Sequence, residues 1–429
     1  MASIAFETGR EFAAEINARD PLAKYREEFL FPKAPDGSDC IYFCGHSLGL
    51  QPREVREFLD QELEDWGRLG VEAHFRARNP WLGYHRLLTN QLARVVGANP
   101  EEVVVMNSLT VNLHLMMVSF YRPTRKRHKI VIEASAFPSD QYAVKSQIRF
   151  HGFDPATSLI EVKPRVNESI IREDDIRALI EQEGASIALV LFGGINYSSG
   201  QAFDMASVAE AAHAQGCLVG FDLAHAAGNL RLKLHNDGAD FAVWCSYKYL
   251  NGGPGCVGGC FVHERHVRAF ELPRFAGWWG NEEKTRFRMG PDFEPTPGAE
   301  GWQLSNPSIF SMAALRASMD IFDRAGMDAV REKSVQLTDY AEYLLDRHAS
   351  EKFSIITPRD PERRGAQLSL GVRRSGALSA TDWPRRASCA ISASPTYCAL
   401  RLRRFIVPIP MYIALWKASS LKSADGQCR

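Results

Sequence analysis

"SYKYLNGGPG", residues 246–255, sets Lys248 between two tyrosines and follows it with a turn built on Gly252, Gly253, Pro254 and Gly255. The run before it, "ADFAVWC" (239–245), is apolar and predicts a buried strand. Taken alone, a lysine where a buried strand runs into a glycine turn is more often a solvated cation at a strand end than a catalytic group. A lysine in a partly buried site is a nucleophile toward carbonyl groups.

The surrounding chain alternates strand and helix. "HKIVIEA" (128–134), "SLIEVK" (158–163), "SIALVLFGG" (186–194), "CLVGFDLAHA" (217–226), "DFAVWCS" (240–246) and "GGCFVHE" (258–264) read as strands. Between them, "SDQYAVKSQIRFHG" reads as a helix with Ser139 or Asp140 near its cap; "REDDIRALIEQEG" and "DMASVAEAAHAQG" are further helices. This order predicts an α/β fold with a mainly parallel sheet and right-handed crossovers. Ligands in such sheets sit at the carboxyl ends of strands, which places Asp222, His225 and Lys248 on one rim. Residues 311–350 predict one long helix or two, leading toward a smaller domain.

Composition limits the classes of function. The 429 residues carry 45% hydrophobic and 24% charged side chains, with a formal net charge of zero. No nucleic-acid partner is implied by that balance. The longest apolar tail run, "FIVPIPMYIALW", is too short for a membrane span and contains two prolines. The nine cysteines form no CxxC pair, and the charged start lacks a signal-peptide core. Reduced thiols in a cytoplasmic protein are expected.

If Lys248 takes an aldehyde, the natural partner is pyridoxal 5'-phosphate held as a Schiff base. That cofactor needs a carboxylate on its pyridine nitrogen, to keep the nitrogen protonated as an electron sink. Asp222, ending a strand in "FDLAHA", suits the role, and His225 is placed to pack against the ring or its oxygen. A phosphate belongs at a helix N-terminus. "VVVMNSLTVNLHLMM" (103–117) supplies a strand meeting a helix near Ser108, with the N–H groups of Leu109 and Thr110 and the Thr110 hydroxyl available. A plain helix cap is the commoner meaning of that pattern alone. "FPSD", Phe137, Pro138, Ser139 and Asp140, offers a ring-stacking aromatic at a helix start, and equally a core aromatic with a cap. Tyr247 is placed to add a phenol to the phosphate.

Together "FCGHSLGLQP" (43–52), "LTVNLHLMM", "FPSDQYA", "GCLVGFDLAHAAGN", "WCSYKYLNGGPG", "GWWG" and "SNPSIF" resemble the kynureninase family, in order from about residue 20 to about residue 370. The resemblance implies the aspartate-aminotransferase-like fold of type I pyridoxal-phosphate enzymes, with a large domain and a small C-terminal α+β domain. The divisions expected are an arm over 1–60, a cofactor domain over 61–310, a linking helix and small-domain start over 311–370, and a tail over 371–429. It implies hydrolysis of L-kynurenine, and in some members its 3-hydroxy form, to anthranilate (or 3-hydroxyanthranilate) and L-alanine, by a homodimer.

By motif, the resemblance makes Lys248 the cofactor lysine and general base, Asp222 the pyridinium partner, and Tyr247 an acid or base in later steps. Leu109, Thr110, Phe137, Pro138, Ser139, Asp140, His225 and Tyr247 then line the cofactor. Trp278 and Asn306 match cofactor contacts supplied by the other subunit. Ser47, His74 and Asn306 match positions near the substrate. Gly193 falls where some members carry a serine. No metal is implied.

The tail departs from this pattern. After residue 370 only Asp382 and Asp425 are acidic, while arginines recur. In "FIVPIPMY" (405–412), Phe405 stands where the family carries a carboxylate-binding arginine, with Arg404 one residue away. Two alternatives therefore stand beside the kynureninase reading. One is a pyridoxal-phosphate-binding relative impaired in turnover. The other is a different lyase of the same fold, such as a cysteine desulfurase, which needs a reactive cysteine on a mobile loop; Cys256 and Cys260 lie too near the Lys248 turn for that.

Overall fold

The apolar runs form the centre of the molecule. The computed structural model describes residues 5–351, 353–372, 391–394 and 397–401. Seven strands make the main sheet: β1 (Val103–Met106), β2 (Lys129–Glu133), β3 (Leu159–Val162), β4 (Ile187–Gly193), β5 (Leu218–Asp222), β6 (Phe241–Cys245) and β7 (Gly258–Val262). Their order across the sheet is β1-β7-β6-β5-β4-β2-β3. Neighbours from β6 to β3 are parallel, whereas β7 runs antiparallel to both β6 and β1. The exception has a simple cause. The link between β6 and β7 is the lysine turn, which contains no crossover helix, and a parallel return needs one.

Alternate residues of the central strands enter different cores. Val190 and Phe192 of β4 join the cluster with Val219, Phe221 and Trp244; Leu189 and Leu191 join the opposite one with Val243 and Phe241. A sheet covered on both faces explains why these strands read as continuous apolar runs.

Helices α1 (Val55–Leu69), α2 (Arg86–Val96), α3 (Leu109–Phe120), α4 (Pro138–Phe150), α5 (Glu173–Glu183) and α6 (Met205–Ala214) precede a pair, α7 (Ile309–Ala325) and α8 (Met327–His348). The region read as one helix or two is two, broken at Gly326, whose φ of 74° lies in the left-handed region. Helix α4 begins at Pro138, so Phe137 holds the cap position and Ser139 and Asp140 fall in the first turn. Proline's fixed φ favours the first helical position, which moves the start ahead of the expected cap.

Helix α7 packs on α1 and α2 and holds the lysine turn: Ser318 Oγ donates to Leu250 O at 2.7 Å, and Val257 N–H donates to Ser311 Oγ at 2.7 Å. Beyond α8, strands β8 (Phe353–Ile355), β9 (Gln367–Val372), β10 (Ile391–Ser394) and β11 (Tyr397–Arg401) form an antiparallel sheet in the order β8-β9-β11-β10. A third cluster joins Ala13 and Phe43 from the start of the chain to Leu337, Tyr340, Leu344, Leu368 and Leu370. Arg404 and Phe405 lie outside the described residues.

Candidate active site

The register brings three strand ends level. Gly193 of β4 pairs with Asp222 of β5, and Asp222 with Val243 of β6. Three residues past the end of β6 stands Lys248, half-buried. Its turn is fixed by backbone bonds: Asn251 N–H to Lys248 O (3.1 Å), Gly252 N–H to Ser246 O (2.9 Å), and Gly49 N–H to Tyr247 O (2.6 Å). The ammonium Nζ is 3.1 Å from His225 Nε2, 5.6 Å from the Phe137 ring centroid and 5.9 Å from that of Tyr247.

Asp222 is buried at the end of β5 and accepts the Ala224 N–H at 2.7 Å. Asp140, in the first turn of α4, is hydrogen-bonded to it. Burial raises the pKa of both carboxyls. For Asp222 this is opposed by the Asp140 hydrogen bond, the Ala224 N–H and the charge of Lys248; for Asp140 it is reinforced by the charge of Asp222. Both carboxyls are therefore held toward the protonated form, Asp140 the more strongly, because closely spaced buried carboxyls resist carrying two negative charges.

Helix α3 starts beside the same cavity. Its cap residue Ser108 makes no side-chain cap hydrogen bond, so the first-turn N–H groups are not closed off by it. Gly258 permits the close approach: a Cβ there would fall 2.9 Å from Trp244 O and 3.2 Å from Leu109 N. Burial pushes the Tyr247 phenol up, with Cys245 and Asp222 adding to the effect, so it stays protonated at neutral pH and is a donor.

These groups enclose a cavity of about 520 Å³, open mouth included, lined by Leu109, Thr110, Phe137, Ser139, Asp140, Asp222, His225, Tyr247 and Lys248. Pro138 supplies the helix start that aims its neighbours. Glu133, Gly193, Ile195, Tyr197 and Ala224 complete the lining. Tyr197 packs edge-on against Phe137, centroids 5.1 Å apart. Sequence reasoning passed over Glu133, although an acid closing a buried strand is the same signal that marked Asp222. Ile195 and Tyr197 carried no such signal.

Five expected residues do not line this cavity: Pro138, which starts α4 beside it, and four that lie elsewhere. Trp278 is 42% exposed, and Asn306 and Ser47 are exposed. His74 is half-buried, with Nδ1 3.1 Å from Val71 O and its ring edge-on to Trp81.

The lining fits pyridoxal phosphate by its chemistry. A helix start with free first-turn donors suits a phosphate dianion. The buried Asp222 charge suits a pyridinium N–H, and the Lys248 amine an aldehyde. Among the described residues, one group has the composition of a metal site: Glu102, His235 and His263. Its atoms already serve the fold. Glu102 Oε1 accepts from Glu264 N–H (2.7 Å) and faces His235 Nδ1 (2.9 Å), Oε2 accepts from Asn99 N–H (2.7 Å), and His263 Nδ1 accepts from Arg265 N–H (3.2 Å).

A mainly parallel seven-stranded sheet with a lysine and a buried aspartate on its carboxyl rim defines the fold-type I class to which pyridoxal-phosphate enzymes belong. The aminotransferase class-V family profile matches residues 41–377. Among similar proteins, a kynureninase of Koribacter versatilis (strain Ellin345) is 63% identical over 412 residues, covering 94% of this chain and 97% of the relative. A kynureninase of Myxococcus xanthus (strain DK1622) is 61% identical over 368 residues, 86% of each chain. One from Xanthomonas campestris pv. campestris (strain B100) is 57% identical over 85% of each. The chain belongs to the aminotransferase class-V family and, within it, to the kynureninases. Solved structures add the fold alone, at 16% identity. The apo cysteine desulfurase of Thermococcus onnurineus NA1 gives a TM-score of 0.71 over 99% of this chain and 100% of that one. A C-DES variant with glycine covalently linked to its cofactor gives 0.74 over 92% and 98%.

Proposed function

We propose that this chain binds pyridoxal phosphate and hydrolyses L-kynurenine to anthranilate and L-alanine. The observation that carries the reading is the convergence of Lys248, Asp222 and the start of α3 on one cavity, in a chain so similar to kynureninases. Lys248 holds the aldehyde. Asp222 would balance the charge of the pyridine nitrogen, with Asp140 hydrogen-bonded to Asp222. Leu109, Thr110 and Tyr247 hold the phosphate, and Phe137, Ser139 and His225 bound the ring. When bound, the cofactor supplies an electron sink for electrons released at the substrate's α-carbon.

Once the substrate's amine has displaced it from the aldehyde, Lys248 Nζ would be the base that takes the α-proton, with His225, 3.1 Å away, orienting it. Asp222 keeps a negative charge where positive charge must be balanced. Tyr247, held protonated, donates a proton in the later steps. In the overall reaction water adds at the γ-carbonyl and the Cβ–Cγ bond breaks. The carbonyl carbon leaves as the carboxylate of anthranilate, and the other fragment gains a proton to become alanine.

The substrate side is completed by Ser47, His74 and Asn306, and Trp278 and Asn306 come from a second copy in a homodimer. An exposed apolar surface supports this. Trp66 and Phe310 lie 6.0 Å apart between centroids, Phe75 and Phe287 6.4 Å, and Trp278 and Phe287 5.5 Å, all of them exposed. Exposed aromatic groups of this kind are what a subunit interface would cover. Among the described residues, the free thiols of Cys217, Cys245, Cys256 and Cys260 support a cytoplasmic setting. Among the described residues no helix is long and apolar enough to cross a membrane. A desulfurase reading gains nothing from Cys256 or Cys260, both buried, with burial pushing the Cys256 thiol up to about 12.

Reconstitution with pyridoxal phosphate followed by a fluorescence assay for anthranilate tests the proposal. Steady release from L-kynurenine is expected. A cofactor-loaded protein that releases none contradicts it.

A further inference from the structure

Glu133 closes β2 on the same rim as Asp222, and its carboxyl is almost wholly buried. Oε2 accepts the Gly193 N–H at 3.1 Å, which ties the end of β2 to the end of β4. Oε1 lies over Gly193: a Cβ on that residue would come within 2.9 Å of it. The carboxyl thus occupies the space a side chain at 193 would fill, in the wall of the cavity. Gly193 pairs with Asp222 in the adjoining strand, so Glu133, Gly193 and Asp222 stand side by side across three neighbouring strands.

The ionisable groups around this cavity besides Glu133 are Asp140 from α4, Tyr197 from the segment after β4, Asp222 from β5, His225 from the segment after β5, and Tyr247 and Lys248 from the lysine turn. Three buried carboxyls share one wall with one lysine. A full set of three negative charges there is untenable in a low-dielectric site. Burial pushes Glu133 up to about 8, and the charge of Asp222 adds to that against the two backbone N–H groups that favour ionisation. Tying two strand ends together does not require a carboxylic acid, because an amide oxygen accepts the Gly193 N–H equally well.

We propose that Glu133 is a positioning residue of the cofactor pocket, storing a proton beside the Asp140–Asp222 pair and releasing it in alkaline solution, so that the negative charge facing the cofactor grows with pH. The inference rests on the pyridoxal-phosphate reading above. Its consequence has a definite sign. Once Glu133 is ionised, its charge favours any positive charge in the cavity, including that on the nitrogen joining Lys248 to the cofactor. The pH at which that nitrogen loses its proton is therefore raised by Glu133.

The test is a pH titration of the absorbance of the lysine-bound cofactor in holoprotein, for wild type and Glu133→Gln. Glutamine keeps the Gly193 acceptor and cannot ionise. The transition in Glu133→Gln should move to lower pH by about 0.5 to 1 unit, a three- to tenfold change in proton affinity. A transition at the wild-type pH overturns the inference, since a purely structural tie would be preserved by the amide. A second measurement needs no folded variant. Infrared spectra of wild-type holoprotein labelled with carboxyl-13C glutamate should show a protonated glutamate band at neutral pH that fades as pH rises. Absence of that band also overturns the inference. If wild type takes up no pyridoxal phosphate, the cofactor reading itself has failed, which is a separate and visible result.

Discussion

Lys248 Nζ and His225 Nε2 stand 3.1 Å apart, the one in the turn after β6 and the other just past the end of β5. The two nitrogens lie within hydrogen-bond distance, and which of them donates is set by the ring tautomer of His225. The contact aims the lysine into the cavity and away from solvent.

Lys248→Ala should eliminate covalent cofactor attachment and reduce turnover to background. Borohydride reduction of wild-type holoprotein, followed by peptide mapping, should place the pyridoxyl group on the peptide containing Lys248. A label on any other lysine refutes the assignment.

Asp222→Ala should weaken cofactor binding and slow α-proton removal by roughly 100-fold or more, since an unpaired pyridine nitrogen is a poor electron sink. Asp222→Glu should keep part of the activity. Deuterium exchange at the α-carbon isolates this step, and a wild-type exchange rate in the alanine variant removes Asp222 from its role.

A stability prediction lies away from the site. Burial pushes the Asp240 carboxyl up, but hydrogen bonds from His213 (3.0 Å), His266 (2.7 Å) and the Val219 N–H (2.7 Å), with the charge of Arg265 at 3.0 Å, overcome it and hold the group below the usual carboxylate range. A depressed folded-state pKa contributes stability above the unfolded value, about 3.9, and that contribution is lost as pH falls through the folded value. Asp240→Asn should cost about 1.5 to 3 kcal/mol at pH 7, the usual loss for hydrogen bonds to a charged group, since Arg265 and His213 remain partly solvated. Urea unfolding of both proteins should show the gap narrowing below about pH 4. A constant gap across that range contradicts the account.

Mixing Lys248→Ala with Asn306→Ala chains should restore activity toward roughly a quarter of wild type, because half the dimers are mixed and each carries one intact site of two. No recovery after subunit exchange has been demonstrated by mass spectrometry would mean that each chain builds its own site.

Much of this was legible before any coordinates. Periodicity marked the strands because both faces of the sheet are buried, and Asp222 and Lys248 stood out as polar groups closing apolar runs. The antiparallel course of β7 was less visible, since it depends on the missing helix between β6 and β7, not on the strand's own residues. The start of α4 was misplaced by one turn position because a serine and an aspartate resemble caps, while Pro138 held the first helical place. Glu133 closes "HKIVIEA" with the same signal as Asp222, but its partner, the Gly193 N–H sixty residues on, is not legible in the sequence. Trp278, Asn306, Ser47 and His74 came from motif resemblance alone, with no strand-end or helix-start signal to set them at this cavity.

The most direct measurement runs the reaction with L-kynurenine in 18O-water and analyses both products by mass spectrometry. Hydrolysis at the γ-carbonyl puts one labelled oxygen into the carboxylate of anthranilate and none into alanine, with the two products formed in equal amounts. Anthranilate without the label, or turnover of kynurenine that yields no alanine, contradicts the account.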